Sequence, residues 1–244
     1  MAEGGQRKGE AVSRRRISIA LALFATILVA GLAKPASSAQ SERPFRLPFA
    51  SPPGPDTWLM IQPYGNTVFA YRLRRSLYGS GQGIHFGVDL AAACGTEVVA
   101  IGEGRVTAVD SPVFGAGPHT LMIDHPNGYA SFYGHLLQRP DLEIGQEVEA
   151  GEVVGLSGDP DGTCTSRPHL HLEIRSTPGY NRAYNPILLI AADWEALARF
   201  GGGPVRFEQD LADPRRWQSL SDQPETRFSA ELINDYPLAW PPDW

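Results

Sequence analysis

The stretch His169-Leu170-His171-Leu172-Glu173-Ile174 decides the fold. Successive side chains of a β-strand point to opposite faces, so Leu170, Leu172 and Ile174 share an apolar face and the two histidines share the other. Strand patterns recur on the N-terminal side. Glu97–Ile101 leads through Gly102 and Gly104 into Arg105–Val109, and Val148–Leu156 alternates around Gly151. Leu121–Asp124 and Tyr129–His135 flank Asn127-Gly128, a strong hairpin signal. With 26 Gly and 21 Pro, the chain is rich in turn formers. Together these features predict a mainly β fold, a compact antiparallel sheet or sandwich. Residues 186–200 read as a short C-terminal helix with Pro186 in its first turn, ended by Gly201-Gly202-Gly203 and followed by a Pro-, Asp- and Trp-rich tail.

Outside this region the chain divides by composition. Arg7, Lys8 and Arg14–Arg16 precede an apolar run from Ile17 to Ala33, and Ser37-Ser38-Ala39 offers a cleavage site. Residues 1–39 therefore read as a signal peptide or, with cleavage absent, as an N-terminal anchor through residues 17–33. Either reading sends the protein out of the cytoplasm, to periplasm, cell envelope or medium. Residues 40–57 read as a linker, 58–190 as the main β domain and 191–244 as a C-terminal helix and extension.

Residues 1–39 hold six of the 21 basic and two of the 27 acidic residues, which leaves 15 and 25 and a net charge of −10. Such a chain lacks the cationic surface that nucleic-acid phosphates require. The 15 remaining basic residues are all Arg, which excludes lysine Schiff-base chemistry from the exported portion. Cys94 and Cys164 read as one disulfide of an exported protein. Closing a loop of about 70 residues is worth on the order of 4 kcal/mol in the chain-entropy model.

The chemistry lies in the histidines. In Gly83-Ile84-His85-Phe86-Gly87-Val88-Asp89-Leu90, the spacing of His85 and Asp89 puts both on one face if the segment is extended. His169 and His171 share a face by the same logic, and His135 follows Tyr133-Gly134 at a strand end. Histidines and a carboxylate from separate strands suit a divalent ion, zinc above all. Two His and one Asp are a catalytic complement that leaves a position open, and remaining histidines can move protons or stabilise an oxyanion. Spacing does not choose between His169 and His171 as ligand. His119 and His125 lie at turns and read as structural.

The ordered motifs His85-x-x-x-Asp89, Tyr133-Gly134-His135 and His169-x-His171 resemble those of the M23 zinc endopeptidases, the lysostaphin and LytM-like group. Gly145–Gly155 resembles the biotinyl-lipoyl-like hairpin of that family. The resemblance covers about residues 58–190. It implies one Zn2+ per chain held by His85, Asp89 and His171, with His135 and His169 catalytic. It implies peptidoglycan peptides as substrate and no nucleic acid as partner. It also admits an alternative, a non-enzymatic module that binds or activates cell-wall hydrolases. A Cys94–Cys164 bond would tie together two loops beside the metal site. Residues 65–82, 110–120 and 157–167 are the loops expected to shape specificity. Neither the bond cleaved nor the oligomeric state is readable.

Overall fold

A computed structural model describes residues 43–200, 208–209 and 217–235. The signal or anchor segment and its cleavage site lie outside the described residues. None of the described helices is long and apolar enough to cross a membrane.

The strands in chain order are β1 (Trp58–Gln62), β2 (Val88–Ala92), β3 (Glu97–Val99), β4 (Gly104–Val109), β5 (His119–Asp124), β6 (Tyr129–Leu136), β7 (Glu147–Val148), β8 (Val153–Leu156), β9 (His169–Ser176) and β10 (Arg182–Tyr184). β11 (Glu208–Gln209), β12 (Trp217–Gln218) and β13 (Thr226–Arg227) follow. The helices are α1 (Val68–Arg72), α2 (Pro186–Leu189) and α3 (Trp194–Phe200). One antiparallel sheet runs in the order β1-β2-β9-β6-β5-β4-β7, extended by β10 on β9 and β13 on β10. β3 pairs with β8, and β11 with β12, in separate two-stranded sheets.

The alternation at β9 sets the layers. Leu170, Leu172 and Ile174 enter the main core with Val88, Leu90, Leu121 and Ile123. On the other face Met122, Ala130 and Phe132 form a second cluster under Phe114, Ala116 and Tyr180. That cover is partial. It leaves the histidine end of the face at the base of an open cleft.

Asn127-Gly128 makes the β5–β6 turn as expected. Gly128 has a φ of 84°, and His125 N–H donates to Tyr129 O at 2.8 Å. Three elements differ from the sequence reading. His85 lies outside the strand that begins at Val88 and is held instead by an isolated bridge to Gly65. Residues 147–156 do not pair with each other: β7 joins β4 and β8 joins β3, because the chain turns at Gly151. The helix expected over 186–200 is two helices. Ile190 leaves helical geometry to bridge Phe45, and Asp193 Oδ1 starts α3 by accepting from Ala196 N–H at 3.0 Å. The same contact shows that the segment read as a linker is laced to the core from Arg43 on. Phe45 and Phe49 are buried, Arg46 N–H donates to Ile101 O and Val99 N–H to Pro48 O.

Candidate active site

β2, β9 and β6 are neighbours, and register does the rest. Asp89 stands opposite His171 on one side, and Gly134 opposite His171 on the other. Directly opposed side chains of an antiparallel pair stand ~5 Å apart at Cβ, close enough to touch. A Cβ on Gly134 would meet Ala116 Cβ at 2.6 Å, so glycine lets the 110–118 loop close on the sheet. His135 then takes a left-handed backbone, φ 58°, and swings its ring to centroid distances of 4.8 Å from His169 and 5.9 Å from His171. Gly87 makes the bend between His85 and β2. A Cβ there would stand 2.7 Å from both His171 Cε1 and the Leu172 carbonyl.

Among the described residues His85, Asp89 and His171 form the cluster of buried potential metal ligands, with candidate donor atoms within 4.8 Å of one another. His85 Nε2 lies 3.3 Å from Asp89 Oδ1 and 3.3 Å from His171 Nδ1, and the last pair, His171 Nδ1 and Asp89 Oδ1, is 2.7 Å apart. His169 Nε2 stands farther out, 3.9 Å from Asp89 Oδ2.

A carbonyl can only accept, so carbonyl partners fix the ring tautomers. His85 Nδ1–H donates to Pro63 O at 2.8 Å, His135 Nδ1–H to Gly117 O and His169 Nδ1–H to Arg167 O at 2.6 Å. Each of these rings keeps Nε2 for the site. His171 is inverted. Its Nε2–H donates to Glu173 Oε1 at 3.1 Å, and Nδ1 is the atom aimed at Asp89 and His85. Glu173 is fully buried and takes two further bonds from Arg175, Nε at 2.7 Å and Nη2 at 3.1 Å. The Arg175 guanidinium in turn lies 4.4 Å from the Phe228 ring centre and 4.9 Å from that of Phe132. Carboxylates bonded to the outer nitrogen of a ligand histidine fix its orientation and raise its basicity.

Charge within the cluster follows. Burial disfavours the Asp89 carboxylate, but His85 and His171 hold its pKa well below the usual range. Burial likewise opposes ionised Glu173, and Arg175 outweighs it and lowers the pKa. For His171 burial opposes the charged ring, and bonds to Asp89 and Glu173 outweigh it, raising the pKa to about 9. Burial, with His171 close by, pushes His135 down to about 4, so that ring is neutral at pH 7. His119 and His125 stand elsewhere. His119 pairs with Asp110 at 2.9 Å, and His125 is buried against Phe45.

The cluster opens into a cleft of about 760 Å³. Ile61, Phe69, Leu77 and Tyr78 line it, as do Val113, Phe114, Tyr180 and Phe228. Cys94 and Cys164 are disulfide-bonded, Cα–Cα 5.9 Å, which ties the turn after β2 to the loop before β9. The sequence reading missed Glu173, although it alternates in step with His169 and His171 and was findable by the same rule. Phe228 carries no local signal, because only the tertiary fold brings it to the cleft.

A histidine–carboxylate cluster at the base of an open cleft, on an antiparallel sheet, is the arrangement of a hydrolase-type site. Residues 83–186 match the model of peptidase family M23, so this stretch of the chain is an M23 domain. Lysostaphin of Staphylococcus staphylolyticus is 34% identical over 95 residues, 39% of this chain and 19% of that protein. Murein hydrolase activator NlpD of Salmonella dublin is 35% identical over 101 residues, 40% of this chain and 25% of that protein. The matched region thus spans a quarter or less of these two relatives. A solved catalytic domain of the prophage-encoded M23 protein EnpA from Enterococcus faecalis, a point mutant, is 30% identical. It covers 59% of this chain and 95% of that one with a TM-score of 0.44.

Proposed function

We propose that this protein is an exported zinc endopeptidase that hydrolyses peptide bonds of bacterial peptidoglycan. The observation that carries the reading is the joint presence of His85, Asp89 and His171 with two further histidines, His135 and His169, whose Nε2 atoms are kept free by bonds at Nδ1. The donor set fits zinc. Nitrogen and oxygen ligands at about 2.0–2.1 Å around a tetrahedral ion stand roughly 3.3 Å apart, and two of the three separations are 3.3 Å. The third, 2.7 Å, is the hydrogen-bond length of the charged ring to Asp89. In this reading His85 Nε2, Asp89 and His171 Nδ1 are the ligands, and Glu173 orients His171 from behind. Zinc, when bound, supplies Lewis-acid activation of water and of the scissile carbonyl.

The chain's own groups do the rest. His135 is half-buried and neutral at pH 7, so its Nε2 accepts a proton from an attacking water. His169 Nε2 faces the same space and supports charge that develops on the carbonyl oxygen. The lysostaphin relative and the disulfide support an exported cell-wall substrate. The NlpD relative favours a second reading, a module that docks on a cell-wall hydrolase without cutting. The test is digestion of purified sacculi with product analysis by mass spectrometry, alongside zinc content. Expected are one zinc per chain, cleavage by wild type, and a His135→Ala variant that keeps its zinc and loses cleavage by at least about 100-fold. Zinc-loaded wild type that leaves sacculi and their peptides intact overturns the peptidase reading in favour of the docking module.

A further inference from the structure

Besides the histidines, three residues with charged side chains line the cleft, and two are already matched. Asp89 faces His171 and His85, and Arg175 is bound to buried Glu173. The third is Arg167, an exposed residue lining the cleft. Among the described residues its guanidinium has no hydrogen bond or ion pair, so it is the uncompensated charge of the cleft.

Its backbone is held on both sides. Arg167 N–H donates to Asp159 Oδ2 at 3.2 Å, and Asp159 also takes the Ser166 N–H at 3.0 Å and hydroxyl at 2.8 Å. The Arg167 carbonyl accepts from His169 Nδ1–H at 2.6 Å. Three residues earlier the disulfide anchors Cys164 to the turn after β2. The backbone that carries this cation is thus tied to the histidine loop, and Arg167 lines the same cleft as His135, His169 and His171, so a peptide laid over those histidines shares the cleft with its guanidinium.

We infer that Arg167 is a specificity-determining residue that takes a free carboxylate carried by the substrate peptide near the cleaved bond. The inference rests on reading the cleft as a peptide-binding site. A guanidinium binds a carboxylate through two parallel N–H···O bonds, a geometry Lys cannot match. Among the described residues no acid holds the Arg167 guanidinium, which leaves both N–H edges to a ligand. A terminal carboxylate and a side-chain carboxylate both meet this chemistry.

Synthetic stem peptides, each with one of these two carboxylates free or amidated, distinguish the sources. The product fragments of the same peptides are titrated calorimetrically into the zinc-loaded full chain, which needs no turnover. Wild type is expected to bind one free-acid form at least about tenfold more tightly than its amide, the size of one charged hydrogen bond. R167Q should bind both alike, and R167E should prefer the amide. R167K should retain part of the preference, and melting curves establish that each variant is folded. Where cleavage occurs, the same ratio should appear in kcat/KM. Equal affinity of wild type for every acid and amide overturns the inference, as does a preference that survives in R167Q. If wild type cleaves nothing, the peptidase reading fails, and the uncut acid and amide peptides, titrated in place of fragments, still decide the role of Arg167.

Discussion

His171 is the residue on which the site turns, because a carboxylate stands at each of its two nitrogens. Asp89 lies 2.7 Å from Nδ1 and Glu173 3.1 Å from Nε2, and Glu173 is itself neutralised by Arg175. An uncompensated carboxylate at that depth would cost several kcal/mol, so Glu173 and Arg175 belong together. His125 shows a histidine with the opposite task. It is 5% exposed, donates from Nδ1 to Glu103 O at 2.7 Å, sets Nε2 2.9 Å from Ser131 Oγ and packs on Phe45. Burial lowers its pKa below the ordinary 6.5. The unfolded chain therefore takes up a proton as pH falls through about 6.5, while the folded chain resists until a lower pH. The stability contributed by neutral His125 is fully present above 6.5 and declines as pH falls from there toward the lowered folded value. Urea midpoints between pH 7.5 and 5 should fall more steeply for wild type than for His125→Gln. Parallel pH profiles would contradict this account. At this scale the sequence located the cluster residues but not their tautomers, since Nδ1 partners such as Pro63 and Gly117 are backbone carbonyls with no residue-type signature.

The strands were legible wherever period two was strong. β9 and the Asn127-Gly128 hairpin stand where alternation and turn chemistry put them. Legibility failed where tertiary contacts override local pattern. Four-residue spacing suggested one strand for His85 and Asp89, yet the chain bends at Gly87 and His85 pairs with Gly65. Apolar helical spacing over 186–200 concealed the break at Ile190, which pairing with Phe45 imposes. The bend at Gly87 carries its own consequence. Its missing Cβ leaves room for His171 Cε1 and the Leu172 carbonyl, each of which a Cβ would approach to 2.7 Å. Gly87→Ala must therefore move the His171 ring or part β2 from β9, at a cost of roughly 1–3 kcal/mol. For a chain of this size that lowers Tm by about 2–10 °C. The variant should also lose zinc faster than wild type to a competing chelator. An unchanged Tm together with unchanged zinc retention would show that the bend has slack the distances deny.

The family match ends at residue 186, yet the cleft does not. From Ser219 to Asp235 the chain returns to the wall formed by residues 64–86. Tyr64, fully buried, has its hydroxyl 2.8 Å from Pro224 O and 2.9 Å from Thr226 Oγ1. Arg227 N–H donates to Gln82 Oε1 at 2.7 Å, Ile233 N–H to Gln82 O, and Asn234 Nδ2 to Gly83 O at 2.6 Å. Phe228 packs edge-on against Phe86, beside His85, and covers Arg175. This segment therefore braces the loop that carries His85 and builds part of the cleft wall. Removing residues 219–244 strips partners from several buried groups at once. Each buried donor or acceptor left unmatched costs about 1–3 kcal/mol, and burial of Leu220 is lost as well. Even three such groups amount to several kcal/mol, a large share of the 5–15 kcal/mol that holds a domain folded. The truncated chain should melt roughly 10 °C or more below the full chain, or fail to fold. Phe228→Ala separates bracing from bulk. It keeps every backbone bond of the segment and, because Phe228 is only partly buried, should cost less than the about 3–5 kcal/mol of a fully buried Phe. A truncated chain that melts within 2 °C of the full one would mean that the matched domain holds its own cleft, and residues 219–235 merely rest on it.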